Sequence, residues 1–359
     1  MLVKKVLHII TGLDSGGAEN ALLRVLSRSK KFDHTVVSLT GRGKLSGQFD
    51  KNGIKTLHFG AKNIIGFSKS IFQLFLFLKK NNFNLIMTYL SHADLVGRIL
   101  GKIYGTKVIC NLRGWKPKWL TSLDVKTSGL ISGYISNSIQ QANEYRKHID
   151  KNKILAVIPN GLILEELRTK KSRKDFCLEH SIDSDKKIVF SQLNLRPEKG
   201  VLEIVEVAKQ SHDIQFVIAG DGPLKSKIES VETNNLKLLG FVSHQTVLDG
   251  MAICDVFLHP SHAEGMSNAV LEAAGVGCLM IVSDIKPNKD ILVNNNYLLC
   301  EVSNVHSIKS ALDKAFGFDK ETVDTWKKNL SDYIAENFGI DKTVERFEHE
   351  WDIPSDECS

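Results

Sequence analysis

The sequence alternates short apolar runs with segments of helical period, and it does so in two successive series. In the first series, Val3–Ile10 has the pattern of a buried strand and is followed by a glycine-containing loop and an amphipathic helix. The further strands predicted in this series are His34–Leu39, Leu85–Tyr89, Lys107–Asn111, Gly133–Ser136 and Ile154–Ile158. Alternation of this kind predicts a parallel sheet with helices on both of its faces.

The second series begins after a break at Pro159-Asn-Gly161 and a charged stretch, residues 169–175. Its predicted strands are Ile188–Leu193, Ile214–Ala219, Leu236–Leu239, Val256–His259 and Leu279–Ser283. Since 359 residues exceed one ordinary core, the chain is predicted to be α/β, with two doubly wound, Rossmann-like domains facing each other across a cleft. In such sheets ligands bind beyond the carboxyl ends of the strands.

Charge is divided unevenly between the two series. Residues 1–165 contain 25 basic and nine acidic side chains, a net charge of +16, whereas the rest of the chain carries −10. A basic half favours an anionic partner, and an acidic membrane surface or a phosphorylated substrate would each fit, as would nucleic acid. A solvated, lysine-rich surface is the alternative. We expect no nucleic acid partner.

The cysteines and the hydropathy of the sequence indicate where in the cell the protein is located. The six cysteines show no C-x-x-C spacing, and several lie in apolar runs, which is typical of a reduced protein. No run reaches the roughly 18 apolar residues of a membrane span, and the apolar run at the N-terminus is too short for a signal peptide. We therefore expect a cytoplasmic protein whose contact with the inner face of the plasma membrane is peripheral.

The segment after Val256–His259 is the strongest candidate for chemistry. It contains Glu264 and Glu272 on either side of Gly-Met-Ser-Asn-Ala-Val-Leu, where a loop opens a helix. Backbone amides of Gly265 and its neighbours near a helix N-terminus could hold a diphosphate. The two carboxylates would then accept hydrogen bonds from sugar and ribose hydroxyls.

This pattern, with its flanking Pro-Ser and Ala-Ala-Gly, resembles the donor site of the retaining family 4 glycosyltransferases, also called glycosyl transferases group 1, which have the GT-B fold. The resemblance implies that Glu264 contacts the donor hexose and Glu272 the ribose. It also implies three domains or segments: residues 1–165 for the acceptor, residues 166–340 for the nucleotide sugar, and a C-terminal helix, 341–359, that crosses back to the first domain. Other donor-binding residues expected in this segment are Gly265, Met266, Ser267 and Asn268.

Basic residues after the first strand of the second series resemble the family's phosphate clamp. Lys199 lies at a predicted strand end and would offset charge on the leaving phosphate. The family usually has an arginine five residues before this lysine, where the chain has Asn194, so we assign Asn194 to donor binding. We expect Arg196 to substitute for that arginine, and a solvated basic turn is the alternative.

Three glycine-containing turns complete the predicted donor site. Gly220-Asp221 follows Ile214–Ala219 and is expected to shape the nucleotide pocket, while Phe241-Val242 lies where relatives bring backbone groups to the base. Gly16-Gly17, before Ala-Glu19, could approach the donor phosphate. It is not the G-x-G-x-x-G of dinucleotide-binding proteins. Purely structural turns are the alternative for the first two.

Candidates for acceptor binding lie in the basic half. Arg113 occupies the position where many relatives have a histidine, and arginine can grip a phosphate but cannot act as a general base. We expect it to bind an anionic acceptor, with a structural salt bridge as the alternative. His92 is a weaker acceptor-binding candidate.

Aromatic and basic residues mixed in residues 64–80 and around Trp115 and Trp119 would suit an anionic membrane surface. Yet Ile71–Leu78 is apolar nearly all round, which favours a core helix.

No metal or other cofactor is expected. Asp183-Ser-Asp185 has the D-x-D spelling of metal-dependent glycosyltransferases, but it precedes a predicted strand, so a turn is the better interpretation.

The resemblance thus implies a metal-independent transfer, with retained configuration, of a hexose or N-acetylhexosamine from a UDP- or GDP-sugar. The implied acceptor is a polyprenyl-diphosphate-linked bacterial surface glycan, such as lipopolysaccharide O-antigen or capsule. Two alternatives remain open: a nucleotide-sugar epimerase of related fold, and a catalytically silent subunit that binds a sugar nucleotide.

Overall fold

The computed structural model describes residues 3–14, 16–113, 118–231, 233–292 and 296–352. The chain forms two compact units. The first comprises residues 1–161 together with 340–359, and the second comprises residues 162–339. The units therefore change at Gly161 and at Gly339, whereas the sequence-based boundaries were drawn after residues 165 and 340.

In the first unit, a parallel sheet has the strand order β3-β2-β1-β4-β5-β6-β7. Its strands are β1 Lys5–Ile10, β2 Asp33–Thr40, β3 Lys55–Ala61, β4 Leu85–Tyr89, β5 Lys107–Leu112, β6 Gly133–Ser136 and β7 Ile154–Val157. The helices between them are α1 Gly17–Arg28, α2 Ser46–Lys51, α3 Ile64–Lys80, α4 Ser91–Tyr104, α5 Lys118–Lys126 and α6 Ile139–Arg146. The order reverses between β1 and β4, as in doubly wound folds.

The second unit repeats this arrangement with the strand order β10-β9-β8-β11-β12-β13. Its strands are β8 Lys187–Gln192, β9 Ile214–Ala219, β10 Leu236–Gly240, β11 Val256–His259, β12 Met280–Ser283 and β13 Leu298–Cys300. Its helices are α7 Arg173–His180, α8 Val201–Lys209, α9 Lys225–Glu229, α10 His244–Ile253, α11 Asn268–Val276, α12 Lys286–Ile291, α13 Val305–Phe316 and α14 Lys320–Phe338. The last helix, α15 Ile340–Trp351, belongs to the first unit.

Central strands are buried on both faces because helices cover both sides of each sheet. All six residues of β9 are buried, as are all four of β11, and their side chains divide between two apolar clusters, one on each face. Continuous apolar runs are the expected pattern for such strands. Every predicted strand is present, with ends within two residues of the prediction.

Two strands, β3 and β13, were not predicted, and both lie at a sheet edge. β3 is mostly half-buried and contains Gly60 in a left-handed conformation (φ +79°), while β13 has only three residues. β3 mixes polar and apolar residues and β13 is short, so neither contains the apolar run by which the other strands, including the edge strands β7 and β10, were predicted.

Helix α3 is less buried than the core helix that the sequence predicted. Leu74 and Leu78 face the core, but Phe72 and Leu76 are 58% and 42% exposed, so the helix is not buried all round. The neighbouring α4 carries an exposed apolar stripe of Leu95, Ile99 and Ile103, spaced four residues apart. Within the described residues, no helix is long and apolar enough to cross a membrane. Trp115 lies outside the described residues.

Helix α15 packs against α1 through a chain of buried polar groups. Ser29 Oγ donates to Glu348 Oε1 at 2.7 Å, His34 Nε2 lies 2.9 Å from Ser29 Oγ, and His34 Nδ1 lies 3.0 Å from His8 Nε2. The Trp351 ring packs edge-on against both histidines. This polar chain couples the C-terminal helix to the middle of the first sheet.

The five described cysteines, Cys110, Cys177, Cys254, Cys278 and Cys300, are buried and free, and burial raises the pKa of Cys300 to about 12. Cys358 lies outside the described residues.

Stability of the first unit should fall in mild acid because His34 is held neutral. Burial lowers the pKa of His34 to about 4, and the nearby carboxylates of Glu348 and Asp33 only partly oppose that effect. Between about pH 6.5 and pH 4 the unfolded chain binds a proton at this site that the folded chain does not, so on the order of 3 kcal/mol is lost as pH falls through this window. Urea unfolding from pH 7.5 to 4.5 should show a shallower pH dependence for His34→Gln than for the wild type. His148→Gln, at an exposed position, is the control, and equal slopes for the wild type and His34→Gln would contradict the assignment.

Candidate functional site

The loop between β11 and α11 carries the strongest sequence candidate. β11 ends at the buried His259, and α11 begins after Ser267, whose hydroxyl accepts a hydrogen bond from Val270 N at 3.3 Å. Serine is a favoured N-cap because it satisfies one of the free amides in the first helical turn. Residues 260–266 therefore lie between a central strand end and a helix N-terminus, the usual ligand position in this kind of sheet.

Glu264 is the centre of a cluster of charged and polar side chains. Its Oε1 accepts a hydrogen bond from Lys199 Nζ at 2.6 Å and lies 3.1 Å from His259 Nε2. His259 Nε2 also lies 3.2 Å from Ser267 Oγ. Burial alone would raise the pKa of Glu264, but the hydrogen bonds from His259 and Lys199, together with the positive charge of Lys199, outweigh it and lower that pKa to about 2. Glu264 is therefore ionised at neutral pH.

Lys199 reaches this cluster from the loop after β8. It ends a short turn, Pro197–Lys199, and Gly200 then adopts a left-handed conformation (φ +69°) and begins α8. A Cβ on Gly200 would collide with the carbonyl oxygen of Pro260, so the two loops pack directly against each other. Only glycine combines this backbone conformation with such a close approach.

Arg196 does not join the cluster through any contact among the described residues. Its side chain is 61% exposed, and its nearest recorded carboxylate is Glu198, at 4.0 Å. Asn194 is also exposed, and its backbone oxygen accepts a hydrogen bond from Arg196 N at 2.8 Å. The structure therefore shows Arg196 on a solvated turn, and its part in the phosphate clamp stays a prediction.

Glu272 forms a second cluster one turn further along α11. It is buried, and its Oε2 lies 3.1 Å from Nε2 of His244, the first residue of α10. Phe241 and Val242 precede this helix. Phe241 is 66% exposed, and Val242 packs against the apolar core. Met266 and Asn268 are half-buried beside α11.

The turn at Gly220 and Asp221 packs against the loop that leads to Lys199. Leu195 N donates to Asp221 O at 3.0 Å, and Gly222 N donates to Asp221 Oδ1 at 2.7 Å. A Cβ on Gly220 would collide with Leu193 O. The turn at Gly220 and Asp221 therefore helps to hold the loop that carries Lys199 in place, whether or not it also contacts a ligand.

In the first unit, Arg113 and Glu19 lie near one another. Arg113 Nη1 donates to Asn160 Oδ1 at 2.7 Å, while its Nε is buried and has no hydrogen-bond partner among the described residues. Burial raises the pKa of Glu19, an effect that the charge of Arg113 partly opposes. Gly16 is the N-cap of α1 and Gly17 is its first residue.

His92 follows β4 and is exposed in the first turn of α4. Its recorded ring contact is with Phe67, against which it packs edge-on.

Asp183-Ser-Asp185 forms a local turn, in which Asp185 N donates to Asp183 Oδ1 at 3.0 Å. Across the described ranges, no group of three or more histidine, cysteine, aspartate or glutamate side chains has the arrangement of a metal site.

The sequence interpretation missed His259 and His244. Both lie at the carboxyl edge of the second sheet, His259 at the end of β11 and His244 four residues after β10. Their position next to predicted strand ends was the available signal. Neither residue belongs to a spaced motif, and a single histidine is more often a structural residue.

Comparison with known proteins identifies similar chains. The family model for glycosyl transferases group 1 matches residues 173–331. The chain is 30% identical, over an alignment of 309 residues, to the UDP-Gal:alpha-D-GlcNAc-diphosphoundecaprenol alpha-1,3-galactosyltransferase of Escherichia coli, and the alignment covers 77% of this chain and 77% of that relative. It is 26% identical over 314 residues to the capsular polysaccharide biosynthesis glycosyltransferase CapH of Staphylococcus aureus, covering 80% of this chain and 83% of that relative.

Among solved structures, the fold is similar to that of Anabaena Alr3699/HepE in complex with UDP and glucose. The TM-score is 0.86 at 16% identity, over 97% of this chain and 99% of that chain. At this identity the similarity concerns the fold, and it confirms the predicted GT-B fold.

Replacing Gly200 tests how strongly the site depends on loop packing. Gly200→Ala should destabilise the protein by about 2 kcal/mol or more, because it adds a clash with Pro260 to the left-handed conformation. Gly53→Ala is the matched control, since Gly53 has the same φ of +69° but no atom within 4 Å of its Cβ position, and it should cost about 1 kcal/mol. Urea unfolding measures both changes, and equal losses would contradict the proposed packing.

Proposed function

Because the chain belongs to the glycosyl transferases group 1 family, we propose that it transfers a hexose or N-acetylhexosamine from a UDP- or GDP-sugar to a lipid-linked glycan. The observation that carries the proposal is the cluster of Lys199, His259 and Glu264 beside the N-terminus of α11. The name of the Escherichia coli relative supports a diphosphate-linked polyprenyl acceptor, and HepE with bound UDP favours a uridine donor.

In this proposal the donor lies along the carboxyl edge of the second sheet. Glu264 accepts a hydrogen bond from a hexose hydroxyl, and Glu272 accepts from the ribose, since carboxylates bind hydroxyls strongly. The free amides at the N-terminus of α11 face the diphosphate. Lys199 and these amides then stabilise the charge that develops on the leaving diphosphate. They supply the positive charge that a metal ion would otherwise provide, so we propose a metal-independent reaction.

We propose that the anomeric configuration is retained by displacement on one face of the sugar. The bond between the anomeric carbon and the diphosphate oxygen breaks, and the acceptor oxygen bonds to that carbon on the same face. The acceptor proton passes to the departing diphosphate, which leaves with the bonding electron pair. Glu264 in this scheme orients the sugar and forms no covalent bond.

Arg113 provides the proposed seat for the acceptor's diphosphate. Its Nη1 is held by Asn160, while its Nε is an unused donor among the described residues. Burial lowers the pKa of Arg113, but a guanidinium remains charged at neutral pH. An anion beside it would satisfy that donor and compensate for the cost of burying the charge.

A membrane surface fits the exposed apolar face of the first unit. Seven of the exposed large apolar residues lie on α3, α4 and α5: Ile65, Phe72, Leu76, Leu95, Ile99, Ile103 and Trp119. Exposed lysines accompany them, including Lys79, Lys80 and Lys102. Apolar side chains bordered by lysines suit insertion into an anionic lipid surface, and residues 1–165 carry a net charge of +16. We propose that the enzyme binds its lipid-linked acceptor at this surface, on the cytoplasmic face of the plasma membrane.

Removing the Glu264 carboxylate tests the assignment of the enzyme's donor site. Glu264→Gln should lower turnover by about a hundredfold or more, because a charge-assisted hydrogen bond to the reacting sugar is lost. Turnover is measured as the mass gain of a polyprenyl-diphosphate-linked acceptor, with a panel of UDP- and GDP-sugars, and NMR of the product gives its anomeric configuration. Glu206→Gln is the control, since Glu206 also pairs with a lysine, Lys209, but on an exposed helix face.

Each alternative function predicts a different result in that experiment. An epimerase would convert the donor sugar into an isomer without an acceptor. A silent binding subunit would bind the sugar nucleotide and transfer nothing, and cellular glycan synthesis would be unchanged by Glu264→Gln. An inverted product would overturn retention while leaving glycosyl transfer in place.

Charge placed in the apolar stripe of α4 should weaken membrane binding. The double variant Ile99→Glu and Ile103→Glu is expected to reduce co-sedimentation with phosphatidylglycerol vesicles about tenfold or more, because it removes apolar contacts and adds repulsion. Leu178→Glu is the control, at an exposed leucine in the second unit. A wild-type dimer that the double variant converts to monomers, without vesicle binding by either protein, would show that a second copy covers this face instead.

A further inference from the structure

The two carboxylate oxygens of Glu264 have different surroundings. Both recorded side-chain contacts, with Lys199 and with His259, are made by Oε1. Oε2 makes no hydrogen bond to any residue that the structure describes, and it is not among the described buried polar atoms that lack a partner. One oxygen is therefore fixed by the protein, and the other can accept a hydrogen bond from a ligand.

The contact between His259 and Glu264 defines where the imidazole hydrogen lies. An ionised carboxylate can only accept hydrogen bonds, so Nε2 of His259 must carry the hydrogen. Nδ1 of the same ring is buried and has no partner among the described residues. A hydrogen on Nδ1 would be a buried donor with no acceptor, whereas a lone pair there is less unfavourable. Both ends of the ring thus favour the same tautomer.

His259 is also the most firmly held member of the cluster. Its side chain is 3% exposed, compared with 11% for Glu264 and 21% for Lys199. It lies at the end of β11, and its ring is nearly parallel to that of Phe257, at an interplanar angle of 8°. His259 therefore lies deeper in the protein than Glu264 and acts on a ligand through the groups it contacts, the Glu264 carboxylate and the Ser267 hydroxyl.

Lys199, by contrast, has to serve two anions. Its single ammonium group is hydrogen-bonded to Glu264 Oε1, and in the proposed reaction the donor diphosphate competes for it. The ammonium group has three hydrogens, but a move of Lys199 toward the diphosphate lengthens and weakens its bond to Glu264. A carboxylate held by Lys199 alone would then be free to rotate, and its hydrogen bond to the sugar would lose its geometry.

We infer that His259 is a positioning residue that holds Glu264 Oε1, so that Oε2 stays directed at the donor hexose when Lys199 turns to the diphosphate. This inference rests on the proposed function. It assigns to His259 a part in recognising the sugar of the donor, as distinct from its nucleotide. Ser267, which also contacts His259, links the same ring to the N-cap of α11.

Two substitutions of His259 distinguish the effect of its hydrogen bond to Glu264 from the effect of its packing. The amide nitrogen of glutamine in His259→Gln can reach the position of histidine Nε2, whereas the shorter asparagine in His259→Asn places its amide near Nδ1. Calorimetry with the free nucleoside diphosphate and with the matching nucleotide sugar gives two dissociation constants for each variant. We expect His259→Asn to weaken binding of the nucleotide sugar about tenfold more than binding of the free nucleotide, and His259→Gln to retain most of that difference.

The Glu264→Gln background makes the comparison specific. If His259 acts through the carboxylate, His259→Asn should have little further effect on sugar discrimination once Glu264 is replaced. Equal weakening of free nucleotide and nucleotide sugar by His259→Asn would indicate a structural role and overturn the inference. Wild-type discrimination in His259→Asn, with discrimination lost in Glu264→Gln, would overturn it too. Unchanged discrimination in Glu264→Gln itself would instead contradict the proposed function.

A measurement on the wild-type protein covers the case in which His259→Asn does not fold. NMR of protein labelled with ¹⁵N-histidine should show the His259 hydrogen on Nε2, both without ligand and with the nucleotide sugar bound. The resonance is assigned by its loss in His259→Gln. A shift of the hydrogen to Nδ1 when the nucleotide sugar binds would overturn the inference, because the hydrogen bond to Glu264 would then be broken.

Discussion

Parallel pairing between neighbouring strands is the constraint on which both sheets and the candidate site depend. Strands that run in the same direction end at one edge, so the loops that leave them must gather there. β8 and β11 are neighbours in the second sheet, and their following loops carry Lys199 and Glu264. Two residues 65 positions apart in the chain thereby meet at 2.6 Å. The order of the strands brings these residues together, and no single sequence motif contains both of them.

The negative charge of Glu264 is the second constraint on the site, because it has to be compensated by neighbouring groups. A carboxylate beside a diphosphate would repel it if it stood alone, and the Glu264 carboxylate is ionised at neutral pH. Its pairing with Lys199 and its hydrogen bond with His259 compensate for that charge in the absence of a ligand. In the proposed reaction, recognition of the sugar and affinity for the diphosphate would therefore both involve Lys199.

The sequence pattern predicted the strands that are buried on both faces, because most of their side chains are apolar and form a continuous run. β9 and β11 have continuous apolar runs, and both were predicted. β3 has a mixed composition and β13 has only three residues, so neither contains an apolar run long enough to be recognised. The spacing of Arg196 and Lys199 in the sequence also does not show that Arg196 faces solvent, because the short turn at Pro197–Lys199 determines the direction of its side chain.

Side-chain geometry and the packing of helices on the sheet account for what else was missed. The partnership of His259 with Glu264 depends on a side-chain geometry that a loop of four intervening residues does not define. The exposed stripe of α4 was also overlooked, because an apolar position has the same sequence signal whether it faces the core or the outside. Only the packing of α3 and α4 on the sheet distinguishes the two directions.

Helix α15 has a consequence for the order in which the protein can be made. Its Glu348 and Trp351 complete the buried contacts of Ser29, His34 and His8, yet the ribosome produces this helix only after the whole second unit. During synthesis, the first unit must wait for the second before its own interior is closed. Until then the two histidines lack their contacts with α15, so the nascent first unit leaves open a surface that the folded chain buries.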